Sequence, residues 1–558
     1  MAFLLATCRS PDPPREREGA GGRYYGGVFN VNESEELRGL FPLSLAQAVS
    51  HRIAAQIYEG LVRLDPADLT IRPALASSWT VDPTGTVYTF QLREGVRFHD
   101  DPCFPGGEGR PLTARDVVHC FTAICSQDAM NQMFWLFQGR VLGADEHFAA
   151  TERGEKPSHV AGIEALDERT VRITLKSTWP GFLQVLAHQG CWIWPRELVD
   201  HHGKDALWNP VGTGAFRLKH FTRREAMILE RWPHYWGRDE YGNALPFLDA
   251  VRYTFVQDKH RELEAFEAGK LSMVFELPVD RTDALEQTER YQVQSIPGLT
   301  VQFYGFNTRR APFQDVRVRQ AFAMAIDRDL LVDSVLDGLA VAARHGVVPP
   351  GFADYPYDSI PPASFDPERA RALLAEAGYP QGQGLPTVFL QVNHSGFGYV
   401  RVAEAVQAML EQHLRARVVS TVLPADQHFE RVEQGLAQFW REGWIADHPD
   451  PENFLSLFHG INVPEDSLQP SYLNSTRFRD AAFDALFGQA LHTPDRATRL
   501  GLLAAAESRL MEEQVVVPLY HERSVRLLQP WVRDMPINGM EVRDLARVWF
   551  DPAARSAR

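Results

Sequence analysis

Residues 387–423 constrain this chain most. A strand-like run from Thr387 to Val392, an amphipathic helical run from Val402 to Leu414 and a second strand-like run from Arg417 to Leu423 follow one another as β-α-β. The same interleaving recurs upstream. Val28-Phe29-Asn30-Val31-Asn32 reads as a short strand, and the apolar spacing of Ile53, Ile57 and Leu61 predicts a helix from Ser50 to Leu61. From Thr86 to Arg93 the chain alternates, with Tyr88, Phe90 and Leu92 on one face and Thr89, Gln91 and Arg93 on the other, as a half-buried strand does. Asp366 followed by Pro367 is a helix start, with Ala370, Leu373, Leu374 and Ala377 on the apolar face and Gly378 as the stop. Strands and helices alternate throughout, so the fold class is α/β or mixed α+β. At 558 residues and roughly 150 per domain, three to four domains are expected.

Several function classes are disfavoured at once. Asp and Glu number 72 against 57 Lys and Arg, a net charge of −15, which argues against a nucleic-acid partner needing a basic face. No apolar run reaches the roughly 18 residues of a bilayer-spanning helix. The sequence holds no HExxH, GxSxG, GxxxxGK[ST] or complete GxGxxG. Gly382-Gln383-Gly384 and Gly212-Thr213-Gly214 are glycine turns lacking the rest of a phosphate loop, and the adjacent His201-His202 reads as a solvated turn. No catalytic group, metal or cofactor is expected. Cys103, Cys120, Cys125 and Cys191 form no CxxC pair, which disfavours a zinc or redox site. They stand either as a disulfide such as Cys103 to Cys120 or as buried free thiols.

Three separated blocks carry a resemblance. The first holds Ile57-Tyr58-Glu59-Gly60-Leu61-Val62, Pro73-Ala74-Leu75-Ala76-Ser77-Ser78-Trp79, the alternating strand continued as Glu94-Gly95-Val96-Arg97-Phe98-His99-Asp100, and Leu112-Thr113-Ala114-Arg115-Asp116-Val117. The second is Asn209-Pro210-Val211-Gly212-Thr213-Gly214-Ala215-Phe216 with Tyr235-Trp236-Gly237. The third is Phe306-Asn307-Thr308, Pro312-Phe313 and the run from Asp315 to Arg328; Phe483-Asp484-Ala485-Leu486 and Val517-Pro518-Leu519-Tyr520 follow. In this order they resemble the extracytoplasmic solute-binding proteins of ABC importers, family 5, the oligopeptide- and dipeptide-binding group, over nearly everything from Gly27 onward. The resemblance implies an α/β, two-lobed periplasmic-binding-protein-like fold of the large peptide-binding type, with an extra inserted domain and a hinge. The implied division is a first lobe of residues 27–62, 205–298 and 518–558, an inserted domain of 63–204 and a second lobe of 299–517. The loop Pro102-Cys103-Phe104-Pro105-Gly106-Gly107-Glu108-Gly109 is longer than the family's usual turn, and it falls in the inserted domain.

The resemblance also implies a site. Gly443-Trp444-Ile445-Ala446-Asp447 matches the motif in which the aspartate receives a peptide's α-ammonium and the backbone before it pairs with the extended peptide. Asp447 is thus assigned to the ammonium, Gly443 and Ile445 to main-chain pairing and Trp444 to a pocket wall. The segment around Ala48 is the facing edge from the other lobe. Asp450 is expected to cap a helix beginning at Glu452. Such a protein captures oligopeptides or dipeptides and delivers them to a membrane permease and its ATPase; it is a periplasmic or cell-envelope monomer with no activity of its own. Relatives that take oligosaccharide, haem or nickel chelates are the alternative within the family, and a peptide hydrolase or a sensor subunit the alternative outside it. Leu5-Ala6-Thr7-Cys8 resembles a bacterial lipobox, with Thr7 in place of the usual Gly or Ala. This implies a truncated lipoprotein signal over 1–8, lipidation of Cys8 and a flexible tether over 9–26.

Overall fold

The computed structural model describes residues 17–35, 37–45, 47–352, 354–393, 398–466 and 469–556. Its first sheet is built around Val28–Asn32 (β1), where alternation sends Phe29 and Val31 into the core. The chain then enters helix α1 (Ala48–Ala54) and an antiparallel sheet of β2 (Ala76–Val81), β3 (Val87–Leu92), β4 (Ile163–Ala165) and β5 (Thr170–Thr174), in the order β2-β3-β5-β4. Tyr88, Phe90 and Leu92 point inward from β3, as their alternation predicts. Helix α2 (Ala114–Ile124) packs beneath it; its start is a capping box in which Thr113 and Asp116 bond reciprocally. The chain returns to the first sheet through β6 (Phe216–Thr222), β7 (Ala226–Arg231) and β8 (Ala250–Thr254), in the order β6-β7-β8-β1, with β1 parallel to β8. One continuous apolar core runs through both sheets and the C-terminal residues up to Phe550.

The second lobe has separate cores. Strands β9 (Met273–Phe275), whose Met273 and Phe275 still join the first core, and β10 (Gln292–Pro297) precede β11 (Thr300–Phe306), helix α3 (Pro367–Glu376), strand β12 (Val388–Asn393), helix α4 (Tyr399–Leu414), strand β13 (Val418–Leu423), strand β14 (Phe439–Ile445), helix α5 (Arg496–Glu513) and the long strand β15 (Val516–Leu528). The sheet order is β9-β15-β11-β14-β12-β13, with β10 also on β15. The β-α-β run from β12 to β13 is parallel, whereas β11 pairs antiparallel with both β14 and β15. Asp366 caps α3 by accepting from the Arg369 N–H at 2.9 Å.

Strand β15 belongs to both lobes. Its first half pairs with β11 and packs Val517, Leu519 and Tyr520 into the second-lobe core; its last residues pair with β9 and β10, and Leu528 enters the first-lobe core. Between these anchors Glu522, Arg523 and Ser524 are only half-buried. The other crossing, at Gly298, lies beside it: the Gly298 N–H donates to Glu522 O at 2.7 Å. The two crossings thus run side by side.

Some expectations need correction. Residues 17–25, placed within a tether, instead pair Arg17–Glu18 antiparallel with Tyr24–Tyr25. The helix expected to run to Leu61 ends at Ala54. Ile57 and Leu61 are buried as expected, but Gln56 O and Ile57 O accept from the N–H groups of Phe216 and Gly214, and Leu61 O from those of Ala74 and Ala76. Tertiary partners thus take the carbonyls that a longer helix would have used. Cys103, Cys120, Cys125 and Cys191 are all free thiols, and Cys8 lies outside the described residues. Among the described residues, no helix is long and apolar enough to cross a membrane.

Candidate functional site

A cavity of about 590 Å³ opens between the lobes, within the size range of small-ligand sites. One wall is the start of α1 with Ala48, His51 and Arg52; residues 58–63 and 184–192 flank it. The opposite wall is the end of β14 with the loop after it, Ile445 to His448, and the half-buried middle of β15 closes the floor.

Strand β14 reaches this cavity with one edge open. Asn307 N–H donates to Gln438 O at 3.0 Å and Ala446 N–H to Leu299 O at 2.9 Å, and both are directly opposed pairs in the β11–β14 register. In an antiparallel ladder such pairs alternate, so the even-numbered residues of β14 bond to β11 and the odd-numbered ones aim their N–H and C=O away from it. On that far edge β12 pairs only with Phe439 and Trp440, and the His428 ring meets Arg441 O at 2.9 Å. Gly443 and Ile445 therefore present backbone groups on an edge that no described strand covers. Ile445 also exposes 69% of its surface, a large value for an apolar residue and one expected of a ligand-facing wall.

Asp447 stands just beyond this edge, with its side chain facing the cavity. Its backbone N–H donates to Asn453 Oδ1 at 3.2 Å, and Asn453 Nδ2 donates to Asp447 Oδ2 at 3.3 Å. No cationic side chain among the described residues pairs with it. The cleft walls strip enough water from it to raise its carboxyl above the usual range, against the Asn453 hydrogen bond and the nearby His448. The loop is pinned from below by Asp450, whose two oxygens take both Nη atoms of Arg499 at 2.8 Å, and by Glu452, which accepts from Arg499 Nη2 at 3.0 Å. Burial opposes ionisation of Asp450, yet Arg499 holds its carboxyl below the usual range. Asp450 also accepts from the Glu452 N–H at 2.9 Å, so the expected cap exists, but the buried ion pair is its larger role.

Trp444 takes a different place from the one expected. Strand alternation puts it on the opposite face from Gly443 and Ile445, where its indole packs against the second-lobe core and Nε1 donates to Asn453 Oδ1 at 2.7 Å. Neither Trp444 nor Gly443 lines the cavity; of β14 only Ile445 does. Gly443 is needed for space: a Cβ there would fall on Gln302 Oε1 and within 2.9 Å of Arg441 Nη2. Ala48 opens α1 on the facing wall.

Other cavity residues were not singled out from sequence. Glu59 accepts from Thr213 Oγ1, Trp236 Nε1 and Tyr235 OH at 2.9, 3.0 and 3.1 Å; burial pushes its carboxyl up despite these bonds. Glu522 accepts from Gln302 Nε2 at 2.8 Å and is likewise raised by burial. Glu59 sits in a block that carries the family resemblance, Tyr58-Glu59-Gly60, and Glu522 lies just beyond another, Val517 to Tyr520, but nothing local marks either one as facing a cleft. The cavity guanidiniums are already neutralised: Arg52 by Glu33, Arg543 by Glu33 and Glu541, Arg63 by Asp544, and Arg523 by Glu286. Among the described residues no group of three or more His, Cys, Asp and Glu is placed to hold a metal ion.

The sequence matches the family model described as bacterial extracellular solute-binding proteins, family 5 Middle, over residues 70–463. It is 28% identical over 534 residues to the periplasmic oligopeptide-binding protein OppA of Salmonella typhimurium, covering 92% of this chain and 91% of that one. It is 29% identical over 518 residues to the glutathione-binding protein GsiB of Escherichia coli, covering 90% and 91%. Two solved structures share the fold. The periplasmic binding protein DppA from Helicobacter pylori, in complex with the peptide STSA, has a TM-score of 0.74 at 24% identity, covering 95% of this chain and 98% of that one. HbpA2 from Haemophilus parasuis has a TM-score of 0.80 at 22% identity, covering 94% and 100%.

Proposed function

The chain belongs to family 5 of the bacterial extracellular solute-binding proteins, and we propose that it is the peptide receptor of an ABC importer, with no chemistry of its own. Asp447 carries this reading. An extended peptide offers one fixed cation at its first residue and a repeating donor and acceptor edge behind it, so one uncompensated carboxylate beside an open strand edge reads any sequence. In this reading Asp447 takes the α-ammonium and Gly443 and Ile445 take the main chain, while Ala48 stands on the facing wall. Trp444 acts from behind by fixing Asn453. Closure turns about the crossings at Gly298 and Glu522–Ser524, driven by contacts made only when both lobes reach the ligand. The monomeric receptor hands its peptide to a membrane permease with its ATPase, and a lipid on Cys8 tethers it to the envelope.

Native mass spectrometry of the gently purified protein, followed by calorimetry with a tripeptide and its N-acetylated twin, tests the reading. Binding of the free tripeptide alone supports it. Failure of both, with a sugar, haem or metal chelate released from the purified protein, overturns it. Turnover of the peptide by the purified protein would move the assignment to a hydrolase. The tether is tested by detergent partitioning of protein from the native host: loss of partitioning in Cys8→Ser supports the lipid, and retention removes it.

A further inference from the structure

We propose that Glu522 is a second cation-reading group of the cleft, so that the preferred ligands are peptides carrying a lysine or arginine side chain. The inference rests on the peptide reading above and adds the side-chain class. Glu522 lies in the half-buried middle of β15 and lines the same cavity as Asp447. Its orientation is set by a relay. Arg441 Nη2 donates to Gln302 Oε1, which fixes the amide so that Gln302 Nε2 donates to Glu522 Oε1 at 2.8 Å. Arg441 is itself held away, stacked 3.5 Å over the Tyr399 ring with Nη1 on Asn393 Oδ1. Glu522 therefore receives a neutral donor at Oε1, and no described residue donates to Oε2 or forms an ion pair with it.

The surroundings leave that carboxylate for a ligand. Each cavity guanidinium already faces a carboxylate, Arg52 and Arg543 sharing Glu33; Arg441 acts on Glu522 only from behind Gln302, and Glu276, which lines the cavity, opposes it with negative potential. Among the described residues Glu276 pairs with Lys259 at 3.4 Å. Arg441 offsets part of the desolvation of this Glu522 carboxylate from a distance, but no described cation touches it, and an ammonium or guanidinium on the ligand would make that direct contact. The two residues, Asp447 and Glu522, are carried by different parts of the sheet. Thr300 faces Ile445 across one strand and touches the backbone of Glu522 across the next, so Glu522 lies about two strand spacings, roughly 10 Å, from Ile445. A peptide's α-ammonium and a basic side chain within its first three residues span such a backbone separation.

The test is calorimetry with three tripeptides bearing lysine at the first, second or third position in an otherwise alanine sequence, each paired with its norleucine twin. In the unmodified protein one position should favour lysine by about ten- to a hundredfold, the range of a charge-assisted hydrogen bond. In Glu522→Gln, checked for folding by circular dichroism, that ratio should fall to within about threefold of one. Equal affinities for all three pairs, or a ratio that survives in Glu522→Gln, would overturn the inference and leave the peptide reading standing. If neither twin binds at any position, both fall together.

Discussion

Asn453 holds Asp447 at two points, accepting from its N–H at 3.2 Å and donating to its Oδ2 at 3.3 Å. The same Oδ1 accepts from the Trp444 indole at 2.7 Å. One buried amide thus ties the proposed ligand carboxylate to the strand that presents it. Asn453→Ala should leave the indole N–H without its partner, at a stability cost of about 1–3 kcal/mol, and should free Asp447 to turn. Tripeptide affinity is expected to fall by roughly tenfold, less than on loss of the carboxylate itself. Urea titration and calorimetry on one preparation check both effects, and unchanged affinity would remove Asn453 from the positioning role.

Asp447→Asn keeps the side chain's shape and removes its charge. Binding of a free-amine tripeptide should weaken by about 2–5 kcal/mol, the cost of truncating one partner of a buried charge pair. Because desolvation by the cleft walls holds this carboxyl above its ordinary range, binding an ammonium should release protons on the acid side of neutrality. Calorimetry in two buffers of different ionisation enthalpy reads that release, which should vanish in the variant.

Arg499 neutralises Asp450 and Glu452 where the three side chains are 4%, 1% and 6% exposed. Removing the guanidinium strands two carboxylates in the interior. Arg499→Met should therefore destabilise the protein by about 3–5 kcal/mol. A loss below about 1 kcal/mol would mean that water or a neighbour compensates.

The loop that lines the cavity is legible in the sequence because its elements are local: Asp447 sits two residues past a strand end, and strand, turn and carboxylate are contiguous. The alternation of β3 and the capped start at Asp366 were legible for the same reason. Trp444 was misplaced because a strand's two faces look alike until its neighbours are known, and β14 turns that indole toward the core. Apolar periodicity continues through Ile57 and Leu61 and so predicts too long a helix at Ser50, while the carbonyls of Gln56 and Ile57 pair with residues more than a hundred positions away. Glu59, Glu522 and Arg499 owe their roles to partners distant in sequence, so no pattern around them announces the role.

Glu507 offers a pH signature. Buried, it accepts from the N–H groups of Val347 and Val348 at 2.6 and 2.8 Å and from Tyr355 OH at 2.6 Å, yet burial lifts its carboxyl to about 7. The folded state then binds more protons at this group than the unfolded one between about pH 4.5 and 7. Its contribution to stability is complete below that window, is lost as pH rises through it, and is flat above. The buried imidazoles His99, His428 and His521, lowered to about 4, act in the opposite sense between about pH 4 and 6.5. The comparison must therefore be with Glu507→Gln, which mimics the neutral acid. Relative to that variant the unmodified protein should lose roughly 3 kcal/mol between pH 4.5 and 8, read from urea midpoints; parallel curves would rule it out.

Gly443 tests the relay behind Glu522. Its backbone lies outside the left-handed region, so alanine brings no backbone strain and its effect reports space alone. The new methyl would fall on Gln302 Oε1 and within 2.9 Å of Arg441 Nη2. Both neighbours are ends of side chains that can shift, so the expected loss is about 1–3 kcal/mol, typical of overpacking. If the clash is with Gln302, the cost should depend on it. Gly443→Ala placed on Gln302→Ala should destabilise by much less than on the unmodified protein, a coupling of about 1 kcal/mol or more in a double-mutant cycle. Additive losses would mean that the methyl is accommodated by moving β14 instead, and the Ile445 edge and Asp447 would then move with it.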